Sequence, residues 1–217
     1  MTFNSVTLLT TWVTMLVVFV LGRLATRSLS LTSPTGLQNV FEYIWEFVEN
    51  TLKQSVTTEH AKKLFDLLIT LLIFLALANW VGIIPTLHSP TADPNTTFGL
   101  AFMVFILTHY YGVRFRGLGG HAAHFVKPYV LLLPINLIEE LSKPLTLAMR
   151  LFGNIYAGEL LIGVFSKLLP LNLSFILSWI PQVIWLGFST FIGGIQAFIF
   201  MMLTMVYVGS TMGKAHE

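Results

Sequence analysis

Ionisable residues crowd into the part of this chain least suited to hold them. Residues 129–169 form a long apolar stretch interrupted by Pro134 and Pro144, yet it carries Glu139, Glu140, Lys143, Arg150 and Glu159, with Lys167 near its end. An arginine at the centre of a bilayer costs about 2.5–3.5 kcal/mol on insertion scales. It cannot escape that cost by losing a proton, because a guanidinium stays charged in any protein environment. Arg150 must therefore face water, a counter-charge or another polypeptide, and a charge kept in such a place is a candidate for moving ions. An ion pair inside the chain, with Glu139 or Glu159 as the partner, is the structural alternative.

Spacing adds a direction to these residues. At about 100° per residue, Asn136, Glu139, Lys143, Arg150 and Asn154 fall within about 80° of one another on a helix. Glu159 stands nine positions beyond Arg150, which turns it to roughly the opposite face. Two polar faces around one cation have the form of two aqueous paths that do not meet. If Pro144 resets the helical phase, the upstream half of the stripe loses that meaning. A second line runs through 171–212, where Gln182, Ser189 and Gln196 recur every seven residues and Tyr207 follows eleven later, all within about 60° of one face. Gly193 and Gly194 beside them permit close approach of a neighbouring helix. Ser and Gln also serve as hydrogen-bonding contacts between membrane helices. Packing and function both stand for Gln196, and packing is the simpler reading of Ser189.

Other polar residues suggest less. His121-Ala-Ala-His124 lacks a nearby carboxylate and follows Gly119-Gly120, so it reads as a solvated loop rather than a metal site. His88 and Asp93 could catch a proton at a channel mouth, although polar loop residues need no such role. Asn95-Thr96-Thr97 has the form of a glycosylation sequon, a tripeptide frequent by chance. There is no Gly-rich phosphate loop, no nucleophile–base pair and no cysteine. The expectation is a non-catalytic chain without nucleotide site, metal or cofactor.

The elements that hold these residues follow from composition. The 217 residues are 55% hydrophobic and 10% charged, with a mean hydropathy of +0.77, against about 25% charged in a soluble domain. The net charge of +2 and scattered basic residues give no footprint for a nucleic-acid partner. A spanning helix needs about 20 apolar residues, and 7–24 supplies one. Its first basic residues, Arg23 and Arg27, come after the apolar run, which puts the N-terminus outside, with a reversed uncleaved anchor as the alternative. A Ser/Thr/Pro/Gly turn at 29–36 leads to 37–53, where apolar and acidic residues alternate at helical spacing. That segment reads as an amphipathic helix lying at the membrane interface or against a partner subunit. A spanning hairpin is predicted at 64–84 and 98–113, joined by a polar, Pro-rich loop. The basic clusters then share one cytoplasmic side.

The stretches 129–169 and 171–212 are too long for simple crossings. A helix of about 40 residues reaches about 60 Å, so each either breaks in two or tilts strongly, with Leu169-Pro170-Leu171-Asn172 as the turn. No internal repeat is visible. The predicted fold is an all-α integral membrane protein: one membrane domain over 1–217, with spanning helices, one interfacial amphipathic helix and a C-terminal hairpin of two long tilted helices.

The run from Pro134 to Leu160, PINLIEELSKPLTLAMRLFGNIYAGEL, closely resembles the signature of the subunit a family of F-type ATP synthases. IQAFIFMMLTMVY at 195–207 is similar to that family's last helix, and NWVGIIP at 79–85 and DPNTT at 93–97 to its earlier landmarks. The family often has a longer segment before the first helix. The resemblance implies a proton-translocating stator whose helical hairpin faces a ring of c subunits, each with one membrane carboxylate, within a complex that includes peripheral-stalk b subunits. It implies that Arg150 meets that carboxylate, and that Asn154, Glu159 and Gln196 belong to its surroundings and to the proton paths. Glu139 aligns with an acidic position near the cytoplasmic half-channel, with Glu140 beside it. Tyr207 and Ser189 stand on the facing helix. Some members carry a His at the Ser189 position, so a hydroxyl or water is expected there instead. The implied location is a bacterial plasma membrane, or alternatively a thylakoid membrane. A self-contained channel or secondary transporter remains the competing class, and an intramembrane enzyme a remoter one.

Overall fold

A computed structural model describes residues 5–27, 36–55, 63–83, 88–126, 129–168 and 175–212. The expected turns at 29–35 and 169–172, and the side chains of His124, Lys167 and Gln182, lie outside the described part. Among the described residues six α-helices carry the structure: α1 Ser5–Thr26, α2 Gly36–Ser55, α3 Phe65–Val81, α4 Pro94–Val126, α5 Leu133–Leu168 and α6 Phe175–Met212. A short 3-10 turn, Pro90–Ala92, sits between α3 and α4. Three helical stretches, Ser5–Thr26, Pro94–Ala123 and Val183–Met212, are long and apolar enough to cross a membrane, and α3 is a shorter apolar helix. The chain is an all-α integral membrane protein.

α1 shows how such a helix orients. Thr7, Thr10 and Thr14 are its buried face, while Leu8, Leu9, Trp12, Leu16 and Phe19 are exposed. The hydroxyls of Thr10 and Thr14 are satisfied within the helix, as in Thr14 Oγ1 donating to the Thr10 carbonyl at 2.7 Å. Small side chains let the helix approach its neighbours, and large apolar ones face lipid. α2 is two-sided. Val48 and Leu52 pack against Leu64, Phe65, Leu68, Met201 and Met205, while Leu37, Val40, Tyr43 and Trp45 stay exposed. One face of this amphipathic segment thus packs on the chain's own α3 and α6, and the other stays open.

α6 packs along α3, α4 and α5 and forms the centre of the assembly. Leu147, Ala148, Leu151 and Ile155 of α5 meet Leu75 and Ala78 of α3, Ala101 and Val104 of α4, and Ala197 and Phe200 of α6. α5 keeps its helix through Pro144, so its polar stripe is not divided by a break. α4 departs from expectation: it turns at Gly117, whose φ of 72° and ψ of 165° are non-helical. The backbone reverses there and resumes as helix, packing His121 against His109 with ring centroids 5.2 Å apart. His121 is therefore part of a folded-back helical segment rather than of a solvated loop. Arg116, just before this turn, donates to the Ser210 carbonyl at 2.5 Å, tying the end of α4 to the C-terminal end of α6.

Candidate functional site

Arg150 lies on the outward face of α5 and is exposed. Among the described residues no carboxylate comes within 4.0 Å of it, since the ion pairs there are Lys53–Glu49, His88–Glu159 and Lys143–Glu140. The internal ion pair weighed from the sequence is absent between these groups. Beside it on α5 Thr146, Met149 and Asn154 are exposed, and Ile138, Leu141, Leu145 and Leu160 are exposed elsewhere along the helix. One cation therefore stands on the open side of a largely apolar helix. The inner face of the same turns carries Leu147, Ala148 and Leu151, buried in the core.

Toward the end of α5 that meets the 3-10 turn, Glu159 is held by a loop rather than by a helix. Its Oε1 accepts from the Ser89 amide at 2.7 Å, and its Oε2 lies 3.4 Å from His88 Nδ1. The loop is pinned in turn. Ser89 Oγ donates to the Ala78 carbonyl at 2.8 Å, Thr91 Oγ1 donates to Asn79 Oδ1 at 2.7 Å, and Asn79 Nδ2 donates to the Gly193 carbonyl at 2.8 Å. Buried Asn79 thus fixes the loop to α3 and α6 together. Gly193 is needed for this approach, since a Cβ there would stand 3.2 Å from that of Asn79.

Glu159 also separates two cavities. One, about 650 Å³, is lined by His88, Asp93, Asn95, Tyr156 and Glu159 among others. The other, about 220 Å³, continues on the far side of Glu159 past Gly158 and Ser189 to Asn154. Ser189 Oγ is buried there without a hydrogen-bond partner among the described residues. Asn154 Nδ2 donates to Gln196 Oε1 at 2.9 Å, and Gln196 is only 1% exposed. A largely apolar cavity with Glu159, Ser189 and Asn154 on its wall therefore leads from the loop to within about one helical turn of Arg150.

A second polar group lies at the opposite end of α5. Lys143 Nζ donates to Glu140 Oε2 at 2.6 Å and stands 6.0 Å from the centroid of the Tyr207 ring. Glu140, Lys143, Thr108 and Tyr207 border a space of about 10 Å³, room for about one water. Glu139 faces outward and is exposed. By helical rise, Arg150 is about 15 Å from the level of Glu140 and about 14 Å from that of Glu159. The two groups do not meet through the interior, because the buried Leu147, Ala148, Leu151 and Ile155 lie between them.

A family profile described as ATP synthase A chain matches residues 8–209. The chain belongs to the ATP synthase A chain family. Its relatives carry the same description: it is 43% identical over 211 residues to ATP synthase subunit a of Desulforamulus reducens, covering 97% of this chain and 80% of the relative. It is 42% identical over 225 residues to ATP synthase subunit a of Lysinibacillus sphaericus, covering 100% and 95%.

In this ATP synthase A chain member the geometry brings Asn154, Glu159, Gln196 and Ser189 into one neighbourhood, and Glu140 and Tyr207 into another. Arg150 and Glu139 stand apart on the open face. The sequence does not reveal Ser89, Thr91 and Asn79 as supports of Glu159. A polar Asn inside the apolar run of α3 is the one signal that could have found them, because a buried amide needs partners. His88 and Asp93, set aside above as ordinary loop residues, both border the larger cavity.

Proposed function

We propose that this chain is the ion-carrying stator of an ATP synthase membrane sector in a bacterial plasma membrane, acting as one unit over 1–217. The observation that carries the proposal is Arg150: an exposed fixed cation on the outward side of a largely apolar helix, without a carboxylate partner among the described residues, between two polar groups. Such a cation calls for an acidic group supplied by a neighbour. A ring of c subunits, each with one membrane carboxylate, is the partner of that chemistry, and b subunits would hold the stator against it.

The mechanism then follows from electrostatics. A carboxylate turning through lipid must be neutral, because an ionised one is too costly there. Beside Arg150 the Coulomb attraction favours the ionised form. The ring carboxylate gives its proton to one polar path on arrival and recovers one from the other on departure. Glu159, Asn154, Gln196 and Ser189 line the outer path, and Glu139, Glu140 and Tyr207 the cytoplasmic one. Arg150 repels a proton attempting the direct passage. Each 100 mV of membrane potential supplies about 2.3 kcal/mol per charge, released only as the ring turns. The ion carried in this scheme is H⁺, and Glu159 is the one of these outer-path groups that can exchange it.

Arg150→Ala in the whole complex tests this. The variant should insert and assemble yet lose ATP-driven proton pumping, measured as acidification of inverted vesicles. Pumping at the normal rate would remove the mechanism. The isolated chain in liposomes should conduct poorly and gain conduction when a c-ring is added, whereas vigorous transport alone would favour a self-contained channel.

A further inference from the structure

We infer that His88 is the proton acceptor at the mouth of the outer path, relaying to Glu159 Oε2; this rests on the function proposed above. Three observations carry it. The imidazole is 76% exposed while the Glu159 side chain is 21% exposed, so one group faces water and the other the protein. His88 Nδ1 lies 3.4 Å from Glu159 Oε2, and a contraction of about half an ångström would make it a short charge-assisted bond. Both residues border the larger cavity, but only Glu159 also borders the inner one. A proton taken up by His88 thus has one next station.

The groups facing His88 suit that task. Asp93 and Glu159 are the carboxylates around the cavity, Tyr156 comes from α5, and α1 contributes only Thr7. Among the described residues no Lys or Arg borders it to repel an incoming proton. Ser89 holds Oε1 of Glu159 through its amide, leaving Oε2 for the imidazole. In the relay Nε2 takes a proton from water while the Nδ1–H passes its own to Oε2. The neutral ring left behind carries hydrogen on Nε2, and proton exchange with the water that reaches this exposed side chain, lost at Nε2 and gained at Nδ1, restores the starting tautomer. Imidazole is the side chain suited to such a cycle because either ring nitrogen can hold the proton.

The test uses the intact ATP synthase in membrane vesicles. His88→Ala should slow proton-driven ATP synthesis by roughly three- to tenfold, below the 10²–10⁴ typical of acid–base groups because water still reaches Glu159. Millimolar imidazole should restore the rate, and pyrazole, a far weaker base of the same shape, should not. His88→Asn, which keeps a hydrogen-bond donor beside Oε2, should be slow and imidazole-rescued in the same way, which separates relay from positioning. An unchanged rate in His88→Ala, full activity in His88→Asn, or a loss that imidazole leaves untouched would each overturn the inference. If Arg150→Ala still pumps, the underlying stator reading has failed instead. If Arg150→Ala is dead while His88→Ala is normal, only the relay is lost.

Discussion

Gly82→Ala offers a perturbation whose size can be worked from distances. Gly82 has φ −67° and ψ −8°, a conformation any residue adopts, so an alanine meets no backbone penalty there. Its methyl, however, would stand 2.8 Å from Glu159 Oε1 and 2.8 Å from Ser89 Cβ. Ordinary carbon contacts lie at about 3.5–4.0 Å, so both must draw away from it by about half an ångström or more. Ser89 is fastened through its hydroxyl to the Ala78 carbonyl and to Thr91. The flexible carboxylate therefore swings away more readily than Ser89, which shifts only with its loop, and either motion separates the two. Its bond from the Ser89 amide is then lost, and a hydrogen bond to a charged group contributes about 1.5–3 kcal/mol. At 1.36 kcal/mol per factor of ten, the fraction of Glu159 in its relay position falls by about tenfold or more. Proton-driven ATP synthesis in vesicles should fall with it, while ATP hydrolysis by detached catalytic heads stays normal. The Gly82→Ala/Glu159→Gln double variant should be no slower than Glu159→Gln alone, since both changes act on one carboxylate. A Gly82→Ala complex with an unchanged rate, or fully additive losses in the double variant, would refute this account of how Glu159 is held.

Three further outcomes are expected. Asn79→Leu removes the donor to Gly193 and the acceptor of Thr91, and unmet buried partners cost about 1–3 kcal/mol each; a lowered midpoint of thermal unfolding in detergent checks it. Gly117→Ala forces a side chain into φ 72°, ψ 165°, a region nearly restricted to glycine that costs about 1–3 kcal/mol. Limited proteolysis near residues 117–126 should accelerate in that variant while pumping is retained. Arg150→Lys should lose most pumping, because an ammonium is more compact and surrenders its proton when desolvated; near-normal pumping would show that a permanent charge is not required.

What the sequence makes legible is whatever repeats along a helix. The apolar runs mark the helices, the exposed and buried faces of α1 and α2 follow their residue types, and Gly193 announces a close approach. Asn154 and Gln196 can be placed on facing lines before any coordinates exist. The holding of Glu159 is not legible in this way. Its partners Ser89 and His88 lie 70 and 71 positions upstream, and one of them contributes a backbone amide, which no residue type signals. The return of α4 is hidden for a related reason. A glycine before Gly119-Gly120 reads as loop, whereas the positive φ of Gly117 turns the backbone so that His121 packs on His109.

The placement of Arg150 gains its sense from what lies behind it. A proton moving inside the chain from Glu159 to Glu140 would have to pass Leu147, Ala148, Leu151 and Ile155, which are sealed against Val104, Ala197 and Phe200. The hydroxyls buried nearby, Thr108 and Thr204, each donate to a carbonyl of their own helix, so the packing offers it no continuous relay. The other course runs along the outward face of α5, and there the guanidinium stands. Packing thus closes the inner course and fixed charge closes the outer one. Under the proposed function only a carboxylate that carries its proton the long way round, on a moving partner, completes the circuit. Neither barrier replaces the other: an arginine placed inward would disrupt the core, and a leucine placed outward would leave the ring carboxylate without a reason to ionise.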